Sequence, residues 1–161
     1  MNLQRLFQMQ NTLDKRIETE HNLEGMPLLH KKILALQVEL GELANETRCF
    51  KFWSTKKASS KDIILEEYVD CIHFILSIGL EKNFQAITLN VNHIAFELSE
   101  QFLTLYTNIT DFIVCSSLDN YLIIFQNFLS LGNSLGFSTE DIENAYLHKN
   151  NINHERQDNG Y

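Results

Sequence analysis

Pro27 is the only proline among 161 residues and glycine occurs six times, so little in the chain forces the backbone out of a helix. Leucine, isoleucine and phenylalanine recur at intervals of three and four, the spacing that lines one face of an α-helix. Together these features predict an all-α fold. With 44% hydrophobic residues the chain can bury one core and is short for two, so a single bundle of about six helices is expected.

The period also places the helices. Leu3, Leu6, Phe7, Leu13 and Ile17 predict a first helix from Leu3 to about Glu20, ended by the turn residues of His21 to Pro27. Leu29, Ile33, Leu36, Leu40 and Leu43 form the narrow stripe of a second. Phe50 to Ser60 breaks the period and reads as a loop, with Ser59 or Ser60 capping a third helix from Lys61 to Leu80. That helix carries two adjacent apolar stripes and has little face for water. Phe84, Ile87, Val91, Ile94, Leu98 and Leu105 predict a fourth helix from an Asn83 cap to about Ile109, and Leu118 to Leu135 a fifth. Ser138 and Asp141 open a short sixth helix ending near Lys149. Residues 150–161 are polar and are expected to be mobile, dividing the chain into a helical domain over 1–149 and a tail over 150–161.

A formal net charge of −8 argues against a surface for duplex nucleic acid, which is bound mainly by neutralising phosphates with Lys and Arg. Cys49, Cys71 and Cys115 lack metal-ligand spacing, and their odd number with no signal-peptide pattern fits a reducing cytoplasm. The most apolar stretches, Tyr68 to Leu80 and Tyr121 to Leu131, are shorter than a membrane span.

Two predicted helices carry paired carboxylates three residues apart: Glu39-Leu40-Gly41-Glu42 and Glu67-Tyr68-Val69-Asp70. Each pair shares one helical face, and like charges on a helix as apolar as the third need compensation. Magnesium accepts a few carboxylates together with waters and phosphate oxygens. Antiparallel neighbouring helices would converge Glu39, Glu42, Glu67 and Asp70 on one or two Mg²⁺ ions. Glu46 and Glu66 fit neither pair and are left at the surface or in support, and Asp62 reads as helix N-terminal charge.

The ExxE and ExxD pair resembles the all-α nucleoside triphosphate pyrophosphohydrolases, and the surrounding residues resemble their dimeric dUTPase branch. Met9-Gln10 with Leu13-Asp14, Glu42-Leu43-Ala44-Asn45 with Phe50-Lys51-Phe52-Trp53, and Leu65 to Asp70 carry the likeness. So do Lys149, Asn153, Arg156-Gln157 and Gly160-Tyr161, which match the family's substrate-closing motif. The resemblance spans nearly the whole chain, although Phe84 to Leu135 matches only in helical character. It implies a homodimer that uses Mg²⁺ to hydrolyse dUTP, and possible use of dUDP, to dUMP by water attack on the α-phosphorus.

The residue roles follow from that likeness and from side-chain chemistry. Glu39 is the expected general base, with Glu42 as the alternative. Lys149 and Arg156 would neutralise phosphates, with Asn153 and Tyr161 adding hydrogen bonds. Trp53 beside Lys51 would stack on or wall off the base, or else anchor the core. Gln10 offers the donor and acceptor that uracil's imide edge requires, Asp14 stands where the family carries asparagine or aspartate, and Asn45 would orient a ligand. His73, one turn after Asp70, is read as a hydrogen-bonded core residue, because magnesium favours oxygen over imidazole. The competing readings are a house-cleaning pyrophosphohydrolase for another nucleotide such as dCTP, and a non-catalytic helical module that binds a regulatory protein.

Overall fold

The computed structural model of the protein describes residues 1–90 and 96–160. Among these there are six α-helices and no strand: α1 (Leu3–Glu20), α2 (Leu29–Thr47), α3 (Lys61–Glu81), α4 (Leu98–Val114), α5 (Leu118–Ser134) and α6 (Thr139–Asp158). The double apolar stripe of α3 makes it the axis of the bundle: from Tyr68 to Gly79 only Asp70 and Phe74 are not buried. Helices α1, α2, α5 and α6 pack on α3, while α4 pairs with α5 and α2. Lys32 in the first turn of α2 donates to Glu81 in the last turn of α3 at 2.9 Å, so these two helices run antiparallel. No helix among the described residues is long and apolar enough to cross a membrane.

Two tyrosines lock α3 to α5 in reciprocal fashion. Tyr68 of α3 donates to the Phe128 carbonyl of α5 at 3.1 Å, and Tyr121 of α5 donates to the Ile75 carbonyl of α3 at 3.0 Å. Each hydroxyl occupies a notch left by a glycine on the other helix. A Cβ at Gly132 would lie 2.4 Å from the Tyr68 oxygen, and one at Gly79 would lie 2.2 Å from that of Tyr121. Neither notch tolerates a side chain without moving a buried ring.

Both ends of the fourth helix and the end of the sixth differ from the sequence expectation. Asn83 does not cap a fourth helix; it ends α3 in the left-handed conformation (φ 58°), with the Phe84 amide donating back to the Gly79 carbonyl at 2.7 Å. Asparagine serves both as an N-cap and as a left-handed terminator, and the backbone bond across α3's end selects the second role. Phe84, Ile87 and Leu89 then pack on the core without forming a helix, so their spacing mimicked helical periodicity. Val91 and Ile94, also assigned to that helix, lie outside the described residues. The fourth helix starts only at Leu98 and continues past Ile109 to Val114.

Helix α6 has the expected capping box of Ser138 and Asp141, but it runs to Asp158 instead of ending near Lys149. Its last two turns are polar and are held from α1. Arg16 donates to Asp158 at 2.6 Å and to the His154 carbonyl at 3.1 Å, and His21 meets Gln157 at 3.1 Å. Residues 150–158 therefore continue the helix past the end expected near Lys149.

Candidate metal centre

The antiparallel packing of α2 and α3 brings together three of the four paired carboxylates. One oxygen each from Glu39, Glu67 and Asp70 lies within 4.8 Å of the others. Glu42, one turn beyond Glu39, is exposed and contributes no oxygen to this triad, although its charge acts on both Glu39 and Glu67. The expectation that all four acids converge is therefore met by three of them.

Holding these acids together raises their proton affinity. Glu39 is pushed up to about 7 by burial first, then by the charges of Asp70, Glu42 and Glu67. Glu67 is raised by burial, Asp70 and Glu42. Burial also raises Asp70, against the hydrogen bond and charge of Lys149. A cluster of three hard oxygen donors with excess negative charge suits a magnesium-type cation, so the donor set fits the metal the sequence implied.

Lys149 lies beside this cluster, with its side chain only 9% exposed. Its ammonium is 2.8 Å from both Glu66 and Asp70. Burial opposes the charge on Lys149, but the hydrogen bonds to Asp70 and Glu66 outweigh it. Glu66 in turn is held below the usual carboxylate range by that hydrogen bond and by the charges of Lys149 and Arg156. Sequence reasoning left Glu66 outside the site because its partner is 83 residues away.

Asn45 and Lys51 meet at the end of α2, where the lysine donates to the side-chain amide oxygen of Asn45. Trp53 lies in the loop after α2, 65% exposed and edge-on to Phe50 and Phe52, and is not a core anchor. Asn153 accepts from Arg156 at 3.4 Å on α6, and Tyr161 lies outside the described residues.

Gln10 and Asp14 form a separate, interior network. Gln10 is 4% exposed; its amide nitrogen donates to Asp14 at 2.7 Å, and its oxygen accepts from Tyr146 at 2.8 Å and meets His73 Nδ1 at 2.7 Å. Asp14 also accepts from Ser77 at 2.5 Å, with Lys32 at 3.7 Å. Burial drops His73 to about 3, so the imidazole is neutral, and it stacks on Tyr146 at 4.2 Å. With Asp14 taking the amide N–H, the Gln10 oxygen faces the tyrosine and the histidine, which makes Nδ1 the protonated nitrogen. His73 is thus a hydrogen-bonded core residue.

A family model described as dUTPase matches residues 2–161. No curated protein matches the chain. The match runs from the first turn of α1 through the carboxylates of α2 and α3 to the end of α6, and so unites the helical fold with its acidic centre: the chain belongs to the dimeric, all-α dUTPase family and is a hydrolase, a dUTP diphosphatase.

Proposed function

We propose that Glu39, Glu67 and Asp70 bind Mg²⁺, with Glu42 joining them by a change of rotamer, and that the site hydrolyses dUTP, and dUDP as well, by water attack on the α-phosphorus. The observation that carries this reading is the convergence of three carboxylate oxygens within 4.8 Å across two antiparallel helices. When bound, the cation supplies charge balance and polarises phosphate oxygens. With positive charge in the cluster Glu39 stays ionised at neutral pH, and its carboxylate can take the proton of the attacking water. Lys149 and Arg156 face the same acids from α6 and would meet the phosphates, with Asn153 and Tyr161 assisting. Asn45 and Lys51 would hold the ligand at the end of α2, and the exposed ring of Trp53 would cover the base. Gln10 and Asp14 reach a base only if the Gln10–Tyr146 contact between α1 and α6 opens, so their assignment to uracil requires α6 to move.

Release of pyrophosphate from dUTP, dCTP, dTTP and UTP tests the substrate and metal together. The expected result is release from dUTP with Mg²⁺ and none after chelation. Release from dCTP instead would move the specificity to a different pyrophosphohydrolase, and metal-independent release would remove the role of the triad.

Shortening the chain tests the end of α6. Deleting 150–161 would also remove buried Asn150 and both α6 partners of Arg16, whereas deletion of 156–161 keeps Asn150 and the His154 carbonyl and loses only Asp158 of the two, so it is the cleaner experiment. KM for dUTP is expected to rise by about tenfold or more, as for loss of charged hydrogen bonds to phosphate. Circular dichroism and metal binding stay close to those of the full chain; an unchanged KM would sink the roles of Arg156 and Tyr161.

The proposal includes a homodimer in the cytoplasm. Leu34 and Val38 on α2, Leu103 and Val114 on α4, and Phe52 and Trp53 in the loop are exposed apolar side chains that a second copy could cover. Sedimentation at micromolar concentration should give twice the chain mass, and the single-chain mass would remove the dimer. Free Cys49, Cys71 and Cys115 suit a reducing compartment.

A further inference from the structure

Asp70 stands where two faces of α3 meet. With Glu67, three residues earlier, it faces α2 and the carboxylate of Glu39; with Glu66, four residues earlier, it faces α6 and the ammonium of Lys149. The two partners of Lys149 are equidistant, 2.8 Å each, yet differ in surroundings: the Glu66 side chain is 57% exposed and that of Asp70 is 19% exposed. Asp70 therefore holds the lysine and also offers an oxygen to the cluster. A divalent cation on Asp70 weakens that carboxylate's hold on the ammonium and adds repulsion between two positive charges a few ångströms apart. Glu66 contributes no oxygen to the triad and remains available to the lysine.

We propose that Glu66 is a positioning residue: it retains Lys149 at the rim of the cluster when metal binding takes Asp70, so that one carboxylate passes from lysine to metal without releasing the lysine. The inference rests on the metal-binding reading above and adds to it a residue outside the paired carboxylates. Without Glu66, Asp70 is the one ion-pair partner left to the lysine among the described residues, and the lysine competes directly with the incoming cation. Glu66 thus acts on the metal through Lys149 and not by touching it.

Mn²⁺ binding to the whole chain, followed by the spin-resonance signal of the free aquo ion and without nucleotide, tests this directly. Four proteins are compared: unmodified, Glu66→Gln, Lys149→Met and the double variant. Glu66→Gln is expected to raise the Mn²⁺ dissociation constant about fivefold, and the same change made in Lys149→Met is expected to shift it less than twofold, the non-additivity of residues that act as a unit. Glu66→Asp, which keeps the charge, should recover part of the loss. If Glu66 were only a nearby negative charge attracting the metal, the neutral variant would weaken binding equally in both backgrounds, and that result overturns the proposal. So does unchanged binding in Glu66→Gln. Should Lys149→Met not fold, Lys149→Gln takes its place in the cycle, and failure of Glu66→Asp to recover any affinity counts against the proposal independently. Failure of the unmodified chain to bind Mn²⁺ would overturn the metal centre itself, whereas normal binding with an additive cycle would overturn only the role of Glu66.

Discussion

Replacing Glu39 with Gln should lower dUTP turnover about 1000-fold, because in the proposed mechanism one residue serves both as a charged metal ligand and as the proton acceptor. The same substitution stabilises the metal-free fold. Glu39 is pushed up to about 7 from its ordinary 4.5 by burial and by Asp70, Glu42 and Glu67, so its ionised form is disfavoured in the folded chain. Below pH 4.5 the group is protonated folded or unfolded and costs nothing. As pH rises from 4.5 to 7 the unfolded chain ionises first and the native state loses stability, and above about 7 the loss is complete. Gln removes that loss. In chelator at pH 8 the variant should be more stable by on the order of 1 kcal/mol, the shift being discounted because the carboxylate is about half open to solvent. At pH 4 the two proteins should melt together. Added Mg²⁺ reverses the order, since only the unmodified triad gains stability from binding. Thermal melts at pH 4 and pH 8 with chelator, and at pH 8 with Mg²⁺, check all three arms. A variant that melts lower at pH 8 in chelator would show that the acids are not held in mutual repulsion.

Tyr121→Ala costs about 3–5 kcal/mol, as for truncation of large buried aromatics, out of a total of about 5–15 kcal/mol for a domain. The side chain is buried, its ring lies 5.6 Å from Phe84, 6.3 Å from Phe112 and 6.0 Å from Phe125, and its hydroxyl fills the notch at Gly79. Truncation empties that volume and frees the Ile75 carbonyl, so α5 loses one of its two tyrosine links to α3. Tyr121→Phe removes only the hydrogen bond and should cost about 1 kcal/mol. Denaturant unfolding measures both. Turnover per folded molecule should stay unchanged, because the carboxylates lie on the α2 side of α3. A cost below about 1 kcal/mol for the alanine variant would show that α5 is held elsewhere.

The carboxylate pairs were legible because spacing within one helix fixes direction: residues three apart share a face wherever the helix goes. The interior role of Gln10 was not legible. Two of its three partners come from α3 and α6, and the same donor and acceptor that would suit uracil are engaged by Asp14, His73 and Tyr146. Glu42 shows the limit from the other side. It shares a helical face with Glu39, yet its side chain is exposed and offers no oxygen to the triad, because a shared face does not fix a rotamer.

What the sequence by itself determined is what repeats along the backbone: the helical class, the positions of α1, α2, α3 and α5, and the two acidic pairs, all of which follow from the 3.6-residue period and the burial of one face. What only the tertiary structure decided is what depends on partners from elsewhere in the chain. Asn83 ends α3 instead of starting α4, polar α6 extends to Asp158 because Arg16 reaches across to it, and Lys149 is held by Glu66 and Asp70. Each is a polar residue with more than one use, and hydrogen bonds and charge pairing select among those uses only after packing has brought the partner within a few ångströms.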